Sequence, residues 1–219
     1  MVGNDWDDTV NPLESDSPLD FDQLVAAVGP ASLLVAIEFR MGRLLRERTT
    51  AEDILQDVLF LAWRERRRFE WRGRRSFRAW LLTLIDNRIS DAQSHETAQK
   101  RGGGAPVLPL TSPRVCGVDG STGPSFGAPI DSTTPSRIAI YSERAAAMRE
   151  ALASLPDDLR DVVRLRLMEQ RPLDEIAALL GIGAAAAAHR FRKGLEIYAR
   201  RLEAVLTSCG GADRSERPS

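Results

Sequence analysis

Cysteine, histidine and long apolar runs are all scarce in this chain, and each shortage closes off a class of function. Cys116 and Cys209 are the two cysteines among 219 residues, and they stand far apart in stretches that read as loop and tail. That excludes a disulfide framework and suits free thiols in a reducing, cytoplasmic setting. The two histidines, His95 and His189, lie in different halves of the sequence, and neither cysteine has metal-ligand spacing or a neighbouring base. The sequence therefore offers no catalytic residue, no metal ligand and no cofactor site. The run "RGGGAP" neither follows a strand nor opens a helix, so it is no phosphate loop. No apolar stretch approaches the ~20 residues of a membrane span, and the N-terminus lacks both the basic start and the apolar core of a signal peptide. Lys and Arg are absent before Arg40, whereas Asp5, Asp7, Asp8, Glu14, Asp16, Asp20 and Asp22 precede it. Residues 1–22 read as an acidic, disordered and solvated arm.

What is present is ordinary soluble composition, 43% hydrophobic and 28% charged, with a formal net charge of −1. A wholesale polycation is excluded, so nucleic-acid binding has to come from local charge segregation. Two helical blocks, 23–100 and 137–207, flank a Gly-, Pro- and Ser-rich stretch at 101–136 that has neither helical nor strand periodicity. That stretch is expected to be a flexible tether that lets the blocks sit apart on a large partner, and 208–219 a disordered tail. No segment reads as a strand. The expected fold class is all-α, two helical domains joined by a flexible linker.

In the first block, "ASLLVAIEFRMGRLLRER" places Leu33, Leu34, Ile37, Met41, Leu44 and Leu45 on one helical stripe. Thr49 and Glu52 have the spacing of a capping box at the start of a second helix, whose apolar stripe is Ile54, Leu55, Val58, Leu61 and Ala62. Asp53, Gln56, Asp57 and Phe60 are left at its border or outside. A solvated polar face explains the first three. Phe60 fits that account poorly, because an aromatic beside acidic and amide groups is the composition of a protein-docking patch. A third helix is predicted from Ser76 to about Gln93, with Phe77, Trp80, Leu81, Leu84, Ile85 and Ile89 inward.

Between those helices lies "RERRRFEWRGRRSFRAW", Arg64 to Trp80, where Arg alternates with Phe69, Trp71, Phe77 and Trp80. Guanidinium groups neutralise phosphates, and aromatic faces stack on exposed bases at ~1–3 kcal/mol each. Phe77 and Trp80 also fall in phase with the third-helix core, but Trp71, two residues from Gly73, does not. In the second block, "RPLDEIAALLGIG" sets Ala177 four residues before Gly181, with Ile176, Leu180 and Ile182 around them. Ala allows close helix packing and Gly a positive φ, the requirements of a helix-turn-helix, although a helical hairpin without DNA shares the apolar pattern.

"AEDILQDVLFLAW", "SFRAWLLTLIDNRISD" and then "LASLPDDLRDVVRLRLMEQRPLDEIAALLGIG" resemble, in that order, regions 2 and 4 of the bacterial RNA polymerase sigma factors of the extracytoplasmic-function group. The resemblance covers roughly Leu33 to Gln99 and Ser142 to Leu202. It implies a non-enzymatic protein that binds core RNA polymerase, directs it to promoter DNA and helps melt the minus-ten element. An anti-sigma or other regulatory protein is a further implied partner. Asp53, Gln56 and Asp57, with Phe60 beside them, match the surface that docks on the polymerase clamp helices. Arg72, Arg74, Arg75, Ser76, Phe77 and Arg78 match the loop that holds an unstacked minus-ten base, joined by Trp71 and, on the third helix, Asn87 and Arg88. Two other classes stay open on the residues alone: a helix-turn-helix regulator acting without polymerase, and a sigma-like interaction protein with reduced promoter readout.

The helix expected to read the minus-thirty-five element begins with Ala184, Ala185, Ala186, Ala187 and Ala188, followed by His189, Arg190, Arg192 and Lys193. Ala187 is in phase with Phe191, Leu195, Tyr198 and Leu202 and is explained by packing. Ala184, Ala185, Ala186 and Ala188 stand where the family usually carries polar side chains. Alanine touches a thymine methyl but forms no hydrogen bond, whereas a bidentate contact supplies ~1–3 kcal/mol of base discrimination. The basic residues after the run are placed for phosphates, which position a helix without reading sequence. The run "SDAQSHETAQKR" at the end of the third helix is less basic than the resemblance leads one to expect.

Overall fold

The computed structural model describes residues 11–100 and 134–211, with side chains through 94 and 207; the first ten residues, residues 101–133 with Cys116, the tail from 212, and the side chains of His95 and Cys209 lie outside. Helices α1 (Pro18–Val28), α2 (Pro30–Arg40), α3 (Arg43–Arg46), α4 (Ala51–Glu65) and α5 (Arg74–Lys100) build the first block. Helices α6 (Pro135–Ala153), α7 (Asp157–Leu167), α8 (Leu173–Leu180) and α9 (Ala184–Gly211) build the second. No strand occurs among the described residues, so the all-α class holds.

The α4 stripe drives the first core. Ile54, Leu55, Val58, Leu59 and Ala62 are buried, as are Leu33, Leu34 and Ile37 of α2 and Phe77, Leu81 and Ile85 of α5. Each large side chain removed from water contributes about 1.5–3 kcal/mol. Leu59 is fully buried and Leu61 only partly, a shift of the expected stripe.

Three expectations change in this block. The acidic N-terminal stretch is not a solvated arm throughout: α1 starts at Pro18, and Leu13, Phe21 and Asp22 are buried. An apolar residue at every third or fourth place among the acids was enough to seat it. The single helix expected through Leu45 breaks at Met41, whose backbone is extended (φ −67°, ψ 123°). The break turns Met41 and Leu45 inward and leaves Leu44 56% exposed. Finally, the capping box is formed by Thr50 and Asp53, not Thr49 and Glu52. Thr50 Oγ1 accepts from the Asp53 amide and Asp53 Oδ2 from the Thr50 amide, both at 3.1 Å.

In the second block the helix-turn-helix forms as the spacing predicts. Gly181 adopts φ 63°, a left-handed conformation that glycine takes without strain, and the Ile182 amide donates to the Ala177 carbonyl at 3.0 Å. α9 crosses α7 at Gly194, where an added Cβ would lie 2.6 Å from Val163 Cγ2. That crossing turns Gly194 and Tyr198 inward and leaves Leu195, expected inside, 37% exposed. α9 also runs on to Gly211, past the expected start of the tail at 208.

In this structure the two blocks are packed together, chiefly α6 against α2. Arg164 lies over the Phe39 ring at 4.9 Å, Arg40 Nη2 is 3.5 Å from a Glu169 carboxylate oxygen, Arg149 pairs with Glu38, and the Ser142 hydroxyl donates to Glu52.

Candidate nucleic-acid interface

α4 ends in a single 3-10 turn, Arg66–Arg68, and a short irregular segment then runs from Phe69, whose backbone is extended, to Gly73 before α5 begins. Gly73 has φ 89°, and its carbonyl accepts from the Ser76 amide and hydroxyl, both at 3.1 Å. This short strap holds the arginine and aromatic residues of the candidate site. Phe69 turns its ring inward, stacked on Trp80 at 4.8 Å and edge-on to Phe77 at 5.8 Å. Trp71 meets that cluster edge-on at Phe69, 6.4 Å between centroids, and is only half-buried. Phe69 and Trp71 are both partly buried, but Phe69 stacks a face on Trp80 whereas Trp71 meets Phe69 edge-on, which makes Trp71 the candidate aromatic of the loop for a base.

Two of the expected DNA residues have other work. Phe77 is fully buried, the hub of the aromatic cluster, so it shapes the site from below and presents no face to DNA. Arg78 is only 2% exposed, and its guanidinium donates to the Val28 carbonyl at 2.5 Å and to the Met168 carbonyl of the second block at 2.9 Å. Burial, and then the nearby Arg40 charge, lowers its pKa to about 10. With the blocks packed like this, Arg78 bridges them rather than facing a ligand. Half-buried Arg74 and exposed Arg75 line a cavity of about 540 Å³ with Ala27, Val28, Arg78 and Gln170. Arg72 is exposed and paired with Glu70 at 2.8 Å, and Asn87 is exposed on α5.

The candidate polymerase residues divide in two. The Asp53 carboxylate closes the cap of α4, and Asp53 and Gln56 line a groove of about 660 Å³ shared with Ile138, Ser142 and Arg149 of α6. Asp57 and Phe60 lie outside that groove, with Phe60 49% exposed. On α9, Ala184, Ala185 and Ala186 are exposed, Ala187 is buried as its phase requires, and Ala188 is half-buried. His189, Arg192 and Lys193 are exposed, while Arg190 is half-buried with Nε 3.8 Å from Asp158 Oδ2.

Sequence reasoning missed one cluster. The Asp16 carboxylate accepts from Arg66 Nη2 at 2.7 Å and from Arg67 Nη2 at 2.6 and 2.8 Å. Fifty positions separate these partners, so no local spacing could reveal the contact.

The sequence divides between two family models in the same order as the two helical blocks. Sigma-70 region 2 matches residues 32–98, and Sigma-70, region 4 matches residues 145–196. The chain is 30% identical over 159 residues to the RNA polymerase sigma factor CarQ of Myxococcus xanthus, covering 71% of this chain and 76% of that protein. This chain is an RNA polymerase sigma factor. It belongs to the extracytoplasmic-function group of the sigma-70 family. The RNA polymerase sigma-H factor of Pseudomonas aeruginosa is 25% identical over 164 residues, 75% of this chain and 79% of that one. A solved structure of CnrH in complex with the cytosolic domain of CnrY aligns over 88% of this sigma factor and 93% of that chain, at 21% identity and a TM-score of 0.33.

Membership decides between the classes the residues left open. A sigma factor acts in transcription initiation with core RNA polymerase and promoter DNA as partners, so neither the regulator acting alone nor the interaction protein is favoured. Sigma factors are non-enzymatic. Among the described residues no single helix is long and apolar enough to cross a membrane.

Proposed function

We propose that this sigma factor divides its task among three surfaces. α4 docks on core polymerase through Gln56, Asp57 and Phe60, with Asp53 at their edge. The strap before α5 holds the melted minus-ten strand, with Trp71 under an unstacked base and Arg72, Arg74, Arg75 and Ser76 around it, Asn87 and Arg88 following along α5. The start of α9 lies on the minus-thirty-five element, where Ala184, Ala185, Ala186 and Ala188 offer only methyl groups and His189, Arg190, Arg192 and Lys193 meet phosphates. A regulatory protein of the anti-sigma kind remains part of the proposal on family membership alone.

The observation that carries the reading is the half-buried Trp71 packed against the Phe69–Phe77–Trp80 cluster, whose centre, Phe77, is fully buried, with exposed Arg72 and Arg75 on the same short segment. A rigid aromatic platform beside cations is what a single strand needs, because stacking and phosphate neutralisation act at once. Replacing Trp71 with Ala tests it. Open-complex formation should fall while closed-complex binding is kept, and a premelted template should restore most of the loss. If premelting restores nothing, Trp71 serves the fold instead.

A further inference from the structure

The candidate single-strand site begins at Trp71, but the basic surface begins earlier, at the 3-10 turn Arg66–Arg68. Arg66 there is held in place. Its guanidinium carbon lies 3.8 Å from the centroid of the Trp63 ring, its Nη1 donates to the Trp63 carbonyl at 2.8 Å, and Trp63 is itself fixed edge-on against buried Phe21 at 5.3 Å. Arg67 beside it is exposed. The two guanidiniums converge on one acceptor, the exposed carboxylate of Asp16. Two convergent guanidiniums, one of them held in place, make a receptor for a planar or tetrahedral oxyanion.

Asp16 reaches this pair because the chain ahead of α1 is anchored on both sides of it. Leu13 is buried, its amide donates to Asn11 Oδ1 at 3.0 Å, and the Ser17 amide donates to Ser15 Oγ at 3.0 Å. The hydrogen bond from Arg67, and then that from Arg66, holds the Asp16 carboxyl below the ordinary aspartate value, so the carboxylate stays charged throughout the physiological range. A groove of about 460 Å³ is lined by Arg66, Arg67, Phe69 and Trp71, with two carboxylates on its walls, Glu14 and Glu70, the latter paired with Arg72. A strand with one base on Trp71 would lay its next phosphates along that groove.

We propose that Arg66 and Arg67 form a phosphate-binding pair for the single strand that stacks on Trp71, and that Asp16 occupies the pair in the free protein as a built-in competitor. The proposal rests on the reading of Trp71 given above. Asp16 stands in for a backbone phosphate in charge and in hydrogen-bond acceptance. The exposed ion pair it makes is weak, so an incoming strand displaces it at little expense and a non-specific anion gains less than from open guanidiniums. The acidic segment thus raises the threshold for single-strand capture without blocking it.

The test uses the full chain and a short fluorescein-labelled, AT-rich DNA single strand, with Asp16→Asn, Arg67→Gln, the double variant and Trp71→Ala. Circular dichroism checks that each variant keeps its helix content; Asp16 and Arg67 are both exposed, so the fold should tolerate their loss. Asp16→Asn should bind about two- to five-fold tighter, as release of an exposed ion pair allows. Its dependence of log K on log salt should steepen by about 0.7, one further cation becoming available to a phosphate. Arg67→Gln should weaken binding, and in that background Asp16→Asn should lose most of its gain. If Asp16→Asn and Arg67→Gln both bind like the parent while Trp71→Ala is weakened, the pair is no phosphate site and the proposal falls with the platform intact. If Trp71→Ala also binds like the parent, the platform reading itself fails.

Discussion

The Arg88 guanidinium donates twice to one Asp57 carboxylate oxygen, at 2.7 and 3.0 Å, and so joins the helix proposed to follow the melted strand to the helix proposed to dock on polymerase. Both side chains are about half exposed. An ion pair in that setting contributes about 0.2–1 kcal/mol, too little to decide the fold. What the contact decides is availability: Asp57 already has a cationic partner in the free protein.

Replacing Arg88 with Ala should therefore lower unfolding stability by less than about 1 kcal/mol in urea titration. Affinity for core polymerase should rise, because the Asp57 carboxylate no longer exchanges one partner for another. A fall in affinity would place Arg88 itself in the polymerase contact.

The cap on α4 separates two roles that the sequence merges. Asp53 is both a candidate docking residue and half of the capping box with Thr50, and loss of either cap residue costs about 0.5–2 kcal/mol. Charge reversal at Asp53 would therefore disturb the helix as well as any partner. Phe60→Ala is the cleaner probe. Phe60 is 49% exposed, so its truncation should change stability by about 0.5 kcal/mol or less, yet weaken core polymerase binding about tenfold or more if it anchors the patch. Parallel unfolding and polymerase titrations of Phe60→Ala check this, and unaltered polymerase affinity counts against the patch.

Gly194 sets the crossing of α7 and α9, and Ala there brings opposed effects. Helix propensity favours Ala by about 1 kcal/mol, whereas a Cβ 2.6 Å from Val163 Cγ2 overpacks the crossing at about 1–3 kcal/mol. The clash wins because Leu159 closes the other side, its Cβ 3.3 Å and its carbonyl oxygen 3.4 Å from the same point. Gly194→Ala should lower the melting temperature, and Val163→Ala in the same chain should recover part of the loss.

How far the sequence could be read depends on how locally each contact is made. The α4 core face, the αL turn at Gly181 and the inward Ala187 follow from spacing within one or two turns, and each was legible. Leu44 and Leu195 were misplaced because their helices bend or cross where the periodicity does not show it: the extended Met41 resets the phase in one, and the close approach at Gly194 turns the other. The cap at Thr50 and Asp53 lies one residue from the expected pair, since two adjacent threonines carry the same signal. In the candidate site, the partial exposure of Trp71 was legible, since no helix phase places that ring in the core. The burial of Arg78 against the Met168 carbonyl and the grip of Asp16 on Arg66 and Arg67 were not, because each joins segments fifty or more positions apart.

Tyr198 gives a pH test of the α9 packing. Its hydroxyl is buried without a hydrogen-bond partner, and burial raises its pKa from 10.0 to about 12. A group whose pKa is raised in the folded state stabilises that state below the unfolded value and loses the contribution as pH climbs through the folded one. Stability should hence fall between about pH 10 and pH 12. Tyr198→Phe removes the titrating proton and an unpaired buried hydroxyl. At neutral pH it should be neutral or stabilising by about 1 kcal/mol, and the alkaline loss should shrink. A Tyr198→Phe chain that loses stability at neutral pH would show that the hydroxyl has a partner.

The start of α9 decides what the second block contributes on a promoter. Ala184, Ala185 and Ala186 are exposed and carry no hydrogen-bonding group, while Arg192 and Lys193, also exposed, follow within about two turns. Such a surface binds through counterion release, which depends on the number of charges neutralised, whereas base discrimination needs donors or acceptors. Holoenzyme formed with this sigma factor should therefore lose little when the upstream element is scrambled, and should lose affinity steeply as salt rises. Arg192→Ala with Lys193→Ala should weaken binding to promoter and scrambled templates alike, and reduce the salt slope by about 2. Ala186→Asn places an amide at an exposed position of the first turns, where it can pair with an adenine edge, so selection from a randomised upstream library should then yield a preference of about ten-fold or more at one base. A strong preference already present with the five alanines in place, and persisting at high salt, would show that methyl contacts or DNA shape supply the readout that these side chains lack.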